Sequence, residues 1–139
     1  MKLSTRGRYA ARLMLDMSKH YGKGPVLLKD IARRQNISEK YLGQIIIPLK
    51  NAGLVHSTRG AHGGYTLSRK PQEITLKEVL ETVEGDLSVV ECAHNPDICS
   101  QSDSCVFHDI WVEISHDMIH TLELITLSHL IRKEKGGKL

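Results

Sequence analysis

The stretch that decides the fold runs from Leu27 to Leu49, with the sequence L-L-K-D-I-A-R-R-Q-N-I-S-E-K-Y-L-G-Q-I-I-I-P-L. Its first nine residues place their apolar side chains on one side of a short helix. Asn36 then tolerates a left-handed backbone turn, and Ser38 is a typical N-cap for a second helix. A short helix, a tight turn and a capped helix predict a helix-turn-helix.

The second helix of this motif is the candidate recognition helix. Its inward-facing residues recur at helical spacing: Tyr41, Leu42, Ile45, Ile46 and Leu49. Gly53 is expected to close it. Pro48 lacks an N–H group and is therefore expected to kink this helix or to loosen its second half.

Two more helices flank the motif. The first is capped by Ser4 or Thr5 and carries an apolar stripe at spacings of four: Tyr9, Leu13 and Met17. A later one begins at Thr75, which forms a capping box with Glu78, and ends at Gly85. We expect this later helix to pack behind the helix-turn-helix.

Two short alternating segments, 54–58 and 65–67, predict a β-hairpin. The glycines of the intervening R-G-A-H-G-G loop permit the positive φ angles that a hairpin turn needs. Directly after a recognition-type helix, such a hairpin indicates a wing. An ordinary hairpin tip or a phosphate cradle is the alternative, although no Walker lysine accompanies the glycines.

The C-terminal part predicts one long helix. Asp103 or Ser104 would cap it, and apolar residues follow along one side: Phe107, Ile110 or Trp111, Ile114, Met118, Leu122 and Ile125. This side needs a partner, either the same helix of a second chain or another surface of its own chain. Thr126 is expected to interrupt the helix and to start a short turn through Leu130.

The chain has 139 residues and a formal net charge of +3, but the charge is unevenly distributed. Residues 1–70 hold 14 Lys and Arg against 3 Asp and Glu, whereas residues 71–139 hold 5 against 13, so the two halves carry +11 and −8. A basic first half favours a polyanion as partner. No apolar run is long enough to cross a membrane and no signal peptide is evident, so we expect a cytoplasmic protein.

All three cysteines lie in one polar segment with a histidine: Cys92, Cys99, Cys105 and His108, spaced C-x6-C-x5-C-x2-H. Such a set indicates a metal centre or redox chemistry, while three unrelated buried thiols are the alternative. At the start of the long helix, Cys105 and His108 would share one face, and the positive end of that helix would lower the pKa of the Cys105 thiol. Spacing alone leaves both zinc and an iron–sulfur cluster open.

Several segments together resemble the IscR-type iron–sulfur cluster regulators among the bacterial winged-helix repressors. They are L-S-T-R-G-R-Y-A at 3–10, I-S-E-K-Y-L-G-Q at 37–44, N-A-G-L-V at 51–55, R-G-A-H-G-G-Y at 59–65 and the cysteine segment. The resemblance implies a homodimer with one [2Fe–2S] cluster per subunit, held by Cys92, Cys99, Cys105 and His108. Six residues separate the first two cysteines here, where the best-known member of that family has five.

Five residues are candidate contacts to DNA: Ser38, Lys40 and Gln44 on the recognition helix, and Arg59 and His62 on the wing. Gln44 can bond base edges, Lys40 can meet phosphate or guanine, and Arg59 can enter a minor groove. The family's recognition helix commonly has a discriminating glutamate where this chain has Gly43. We therefore expect a different sequence preference.

The sequence thus predicts a mainly α protein with a small β-hairpin wing: a winged helix-turn-helix at 1–85, a cluster-binding loop at 86–104 and a dimerisation helix with a C-terminal turn at 105–139. The predicted function is transcription regulation through a [2Fe–2S] cluster, with double-stranded DNA, a second copy and iron–sulfur assembly proteins as partners and no membrane. No convergent acid, base or nucleophile predicts an enzyme. A zinc-stabilised or thiol-redox repressor is the alternative, followed by an iron–sulfur carrier or redox protein.

Overall fold

A computed structural model describes residues 2–137. The elements are α1 (Thr5–Lys19), α2 (Leu28–Gln35), α3 (Glu39–Asn51), β1 (Val55–Thr58), β2 (Gly64–Leu67), α4 (Leu76–Glu84), the short α5 (Glu91–His94), α6 (His108–Leu124) and α7 (Leu127–Glu134). The core lies where α1, α3 and α4 meet. This mainly helical fold with one two-stranded hairpin is the predicted winged helix-turn-helix.

The helix-turn-helix forms as its sequence predicts. Asn36 has a φ of 53° and ends α2 in the left-handed conformation. The Ser38 hydroxyl accepts a hydrogen bond from the Tyr41 backbone N–H at 3.3 Å and so caps α3. α3 then continues through Pro48 to Asn51 and buries four apolar residues: Leu42, Ile45, Ile46 and Leu49.

A buried ion pair fixes α1 against α2. Asp16 is only 1% exposed, and both its carboxylate oxygens accept hydrogen bonds from Arg34, at 2.6 and 3.0 Å. Gln35 donates a further bond at 3.0 Å. Burial by itself would raise the pKa of Asp16, but the bonds from Arg34 and Gln35 and the attraction of the guanidinium outweigh it, so that pKa is lowered.

The wing is an antiparallel hairpin in which Val55 pairs with Leu67 and Thr58 with Gly64. Tyr65 also exchanges two backbone hydrogen bonds with Val26, at 2.9 and 2.8 Å, which tie the wing to the segment before α2. Gly64 has a φ of 146°, and a Cβ there would lie 2.6 Å from the Val26 carbonyl oxygen. Only glycine allows this close approach.

The C-terminal helices return to the winged head. The Leu76 N–H donates to the Ile125 carbonyl at 2.7 Å, and the Leu127 N–H donates to the Ile74 carbonyl at 3.0 Å. Leu127 is fully buried in the main core. The expected short turn through Leu130 is therefore a helix, α7, which the Thr126 side chain caps and which packs on α1.

The long helix begins later than the sequence suggested. α6 starts at His108, with Phe107 as its N-cap residue and no side-chain cap, so neither Asp103 nor Ser104 caps it. The Ser102 hydroxyl instead donates to the carbonyl oxygens of Pro96 and Cys99, at 2.7 and 3.0 Å, and holds this segment as turns. Among residues 2–137 no helix is both long and apolar enough to span a bilayer.

Candidate DNA-binding face and metal-ligand loop

α3 presents a polar outer face. Ser38, Lys40 and Gln44 are exposed, whereas the other face of the helix is buried in the head. Tyr41 lies between these faces and packs edge-on against Tyr9, with ring centroids 5.6 Å apart. Tyr41 therefore belongs to the core, as the sequence suggested, and the polar residues remain free to meet a groove.

The wing tip adds two more exposed polar side chains, Arg59 and His62. Both lie between β1 and β2, in the loop that the Gly63 N–H closes by donating to the Gly60 carbonyl at 3.0 Å. Arg34, by contrast, is bound to Asp16. The basic first half therefore has a structural guanidinium at Arg34 and exposed cations on α3 and the wing.

The cysteine segment is less regular. Cys92 lies on α5 and is half-buried, whereas Cys99 and Cys105 are exposed, and all three are free thiols. α5 packs against α6, which starts at His108. Two of the four predicted ligands thus lie on elements in contact, and the other two lie on the turns between them.

The expectation that Cys105 and His108 share a helix face is wrong. Cys105 precedes α6 by three residues, and its carbonyl accepts a hydrogen bond from the His108 N–H at 3.2 Å. Cys105 therefore lies in the turns before α6 and not in its first turn.

His108 has an unusual environment. In the described part of the chain its Nδ1 atom is buried and has no hydrogen-bond partner. A buried polar atom without a partner costs about 1–3 kcal/mol, so such atoms are rare and need a reason. A bound metal ion would satisfy this nitrogen, since neutral imidazole is a common ligand.

The four predicted ligands are not gathered into one cluster in the part of the chain that the structure describes. No group of three or more His, Cys, Asp or Glu side chains within residues 2–137 lies close enough together to hold a metal ion. The donor set fits a thiolate-rich metal group in its chemistry.

Ser115 connects this loop to α6. It is buried, and its hydroxyl accepts a hydrogen bond from the Val89 N–H at 2.9 Å. Sequence reasoning missed this residue, as it missed Asp16 and Ser102. For Ser115 and Asp16 the available signal was a polar residue in the position of an apolar stripe.

α6 also carries an uncovered apolar surface. The side chains of Ile110, Ile114 and Met118 are exposed at spacings of four. Phe107 stacks on Trp111 at the start of the helix, with centroids 5.9 Å apart. Contacts among residues 2–137 therefore leave this side of the helix largely uncovered.

A capped recognition helix, a wing beside it and exposed cations on both define a winged-helix DNA-binding protein. The comparison with protein families makes this class more specific. The Rrf2 model, described as an iron-dependent transcriptional regulator, matches residues 3–133, and the chain belongs to the Rrf2 family. It is a transcriptional regulator that binds DNA and, as the sequence predicted, not an enzyme.

Individual relatives differ in what their names imply. The regulator CymR of Bacillus subtilis is 39% identical over 98% of this chain and 94% of its own length. A structure of that protein, called the global cysteine regulator, has a TM-score of 0.78, with 94% of this chain and 95% of that one covered at 38% identity.

IscR proteins are equally similar. IscR of Aliivibrio salmonicida is 40% identical over 94% of this chain and 77% of its own length. The structure of IscR from T. potens has a TM-score of 0.79 and 36% identity and covers 96% of this chain and 88% of that one. The resemblance to winged-helix regulators that the motifs indicated is confirmed.

Proposed function

We propose that this regulator binds a [2Fe–2S] cluster through Cys92, Cys99, Cys105 and His108, and that assembly or loss of the cluster changes the affinity of the protein for DNA. When bound, such a group would supply a one-electron redox centre whose loss or assembly can report iron and sulfur status. The IscR relatives support the choice of an iron–sulfur group.

The observation that carries this proposal is the buried, unpartnered Nδ1 of His108. In folded proteins a buried polar nitrogen is nearly always hydrogen-bonded to another protein group or to an ordered water. Here it lies at the first residue of α6, against which α5 with Cys92 packs. We propose Nδ1 as the ligating atom, with the thiolates as the other three ligands.

The ligand loop is suited to coupling because it is attached to α6. The Val89–Ser115 hydrogen bond joins the loop's start to the middle of the helix, and His108 is the helix's first residue. When the ligands close, the loop is ordered against α6. If two copies pair through α6, this ordering changes the relative position of their winged heads.

DNA contacts follow from the exposed face. We propose that Ser38, Lys40 and Gln44 meet the major groove and that Arg59 and His62 meet the adjacent minor groove. Two copies would present two such faces to a two-fold site. The cytoplasmic location and the delivery of the cluster by iron–sulfur assembly proteins remain predictions that belong to this proposal.

The test of the cluster is anaerobic purification followed by a visible spectrum and by iron and zinc analysis. We expect coloured protein with about two irons per subunit. Substitution of Cys92, Cys99 or Cys105 by alanine should abolish the colour, whereas His108→Cys should retain a cluster of lower potential. Colourless wild-type protein with stoichiometric zinc contradicts the proposal, and an unchanged spectrum in Cys99→Ala removes that residue from the ligand set.

The DNA contacts are tested by two matched substitutions of exposed cations. Arg59→Ala should cost about 1–3 kcal/mol of binding on the preferred operator if Arg59 reads a base pair or a narrow groove. Lys40→Ala should weaken binding on every sequence alike and reduce the salt dependence by about one unit of slope if Lys40 meets a phosphate. Equal loss on specific and random DNA in both variants contradicts the assignment of Arg59.

A thiol-responsive regulator is the second candidate. Cys99 and Cys105 are exposed free thiols, and the CymR relative is called a cysteine regulator. In that case the anaerobic protein is colourless, and a mild oxidant changes DNA affinity in wild-type protein but not after Cys99→Ser. The same purification therefore separates the two functions.

A further inference from the structure

Two histidines lie together on α6, away from the cysteine loop. His116 and His120 are one helical turn apart, and their rings are nearly parallel, with an interplanar angle of 8° and centroids 6.2 Å apart. Residues four apart on a helix have Cβ atoms about 5–6 Å apart and point the same way. Two imidazoles in this arrangement can converge on one metal ion, as the paired histidines of helical zinc motifs do.

We infer that His116 and His120 form a separate surface site for one divalent transition-metal ion of the class that prefers imidazole, such as Cu²⁺, Ni²⁺ or Zn²⁺. Each histidine would supply one neutral ring nitrogen. Affinity among these ions should follow their general order, with Cu²⁺ bound most tightly. This inference does not depend on the iron–sulfur proposal, because the two sites share no residue.

The pair is accessible for this role. Both residues are exposed, and the nearest charged partner is Asp117, whose carboxylate lies 3.7 Å from Nδ1 of a His116 side chain that is 79% exposed. An ion pair this exposed is worth little. It therefore does not prevent His116 from turning to a metal.

The rest of the coordination sphere would be water. Glu123, one turn beyond His120, is engaged by Lys77 of α4 at 3.5 Å. Within the described residues no third His, Cys, Asp or Glu joins the two histidines in a preassembled group. The site is therefore bidentate and open, which favours exchangeable binding over permanent structural binding.

The site would also stay open in a dimer. His116 lies two residues from both Ile114 and Met118, which belong to the exposed apolar side of α6. Two residues correspond to about 200° around a helix of 3.6 residues per turn. His116 therefore lies almost opposite the apolar side, and His120 lies about 120° around the helix from Ile114. Pairing through the apolar side would leave both histidines in solvent.

The test measures binding of Ni²⁺ alone to the full chain carrying Cys92→Ser, Cys99→Ser and Cys105→Ser, since thiolates would otherwise compete for the ion. We expect one ion per chain by equilibrium dialysis. His120→Ala should bind Ni²⁺ at least about tenfold more weakly, because the second, intramolecular ligand is lost. Ni²⁺ should raise the Tm only while both histidines are present. Failure of the cluster proposal leaves this result unaffected.

A matched control keeps the number of histidines and changes their spacing. In the same background, His120→Ala combined with Asp117→His places two histidines at adjacent positions, which do not face each other on a helix. This variant should bind Ni²⁺ as weakly as His120→Ala alone. Equal binding by the parent and the respaced variant overturns the inference, as does a parent that binds no ion; circular dichroism of each variant checks that α6 is intact.

Discussion

Asp16 is the charged side chain on which the packing of α1 against α2 depends. Its carboxylate is buried, whereas Arg34 is about a third exposed. Neutralising Asp16 leaves the charge of Arg34, which water reaches. The expected cost is therefore that of the lost hydrogen bonds to a charged group, about 1.5–3 kcal/mol.

We therefore expect Asp16→Asn to reduce the free energy of unfolding at pH 7 by about 2 kcal/mol. The pKa of Asp16 is lowered in the folded state, so its contribution is present above its ordinary value of 3.8 and is lost as pH falls through the folded value. Wild-type protein should lose stability in acid more steeply than Asp16→Asn. Denaturant unfolding from pH 7 to pH 3 measures both effects, and parallel pH curves contradict the role of this carboxylate.

Asp30→Asn is the matched control for that experiment. Asp30 pairs with an Arg33 side chain that is 75% exposed, at 3.4 Å, so its loss should cost at most about 1 kcal/mol. Every variant keeps some acid dependence of its stability from Glu78, whose pKa is lowered in the folded protein. Burial by itself would raise that pKa, but hydrogen bonds from Thr75 and Arg69 lower it. The difference between Asp16 and Asp30 isolates the buried pair.

Gly43 is the departure from the family pattern that the structure makes testable. It lies inside α3, and a Cβ added there would meet no atom within 4 Å. Gly43→Ala should therefore raise the free energy of unfolding by up to about 1 kcal/mol, because alanine has the higher helix propensity. Gly53→Ala is the control: its surroundings are equally open, but its φ of 77° makes any side chain strained.

Because the space beside position 43 is open, the Gly43→Glu variant should also fold. A carboxylate on the outer face of α3 repels phosphates and accepts hydrogen bonds from cytosine, so this variant should discriminate among operators more strongly than wild type. Affinities for an operator panel at fixed salt measure this change. A uniform loss on all operators indicates that position 43 does not face bases.

Among the elements, the ligand loop and α6 are joined through Ser115. Ser115→Ala leaves the Val89 N–H without its acceptor, a loss of about 1–3 kcal/mol for a buried group. We expect faster hydrogen exchange at Val89 and less iron bound after anaerobic reconstitution. Thr82→Ala is the control, since the Thr82 hydroxyl donates a hydrogen bond to the Glu78 carbonyl of its own helix and not to the ligand loop. Equal iron content in Ser115→Ala and wild type contradicts the coupling of loop and helix.

At the level of the whole molecule, the exposed apolar side of α6 determines how two copies can pair. A patch of this kind on a DNA-binding protein favours a two-fold dimer. Ile114→Asp would bury a charge in that interface, so sedimentation should show a monomer. Wild type should bind a two-fold site with half-sites roughly 34 Å apart or a multiple of this, and the variant should protect a single half-site weakly. If Ile114→Asp remains dimeric, this surface is not the interface. Ile119→Asp is the control, because it places a charge on a less exposed side of α6 and so reports the effect of a charge on folding alone.

Local sequence determined the winged head. Capping residues, a left-handed asparagine, glycine turns and apolar periodicity act between neighbours in the chain, so α1 to α4 and the hairpin were predicted within a residue or two at most ends. The family resemblance followed from these same segments together with the cysteine segment. The division into residues 1–85, 86–104 and 105–139 stays a prediction.

Tertiary structure alone decided the features that depend on distant partners. Bonds from Ser102 to Pro96 and Cys99 hold turns in the segment before α6, and α7 places Leu127 in the core beside α1. The Asp16–Arg34 pair, the unpartnered nitrogen of His108 and the exposed side of α6 all result from burial, which sequence spacing does not specify. The cysteine pattern therefore predicts which atoms hold a metal. The packing of α5, which carries Cys92, on α6, which begins at His108, was decided by tertiary structure, because contacts between elements are not specified by spacing along the chain.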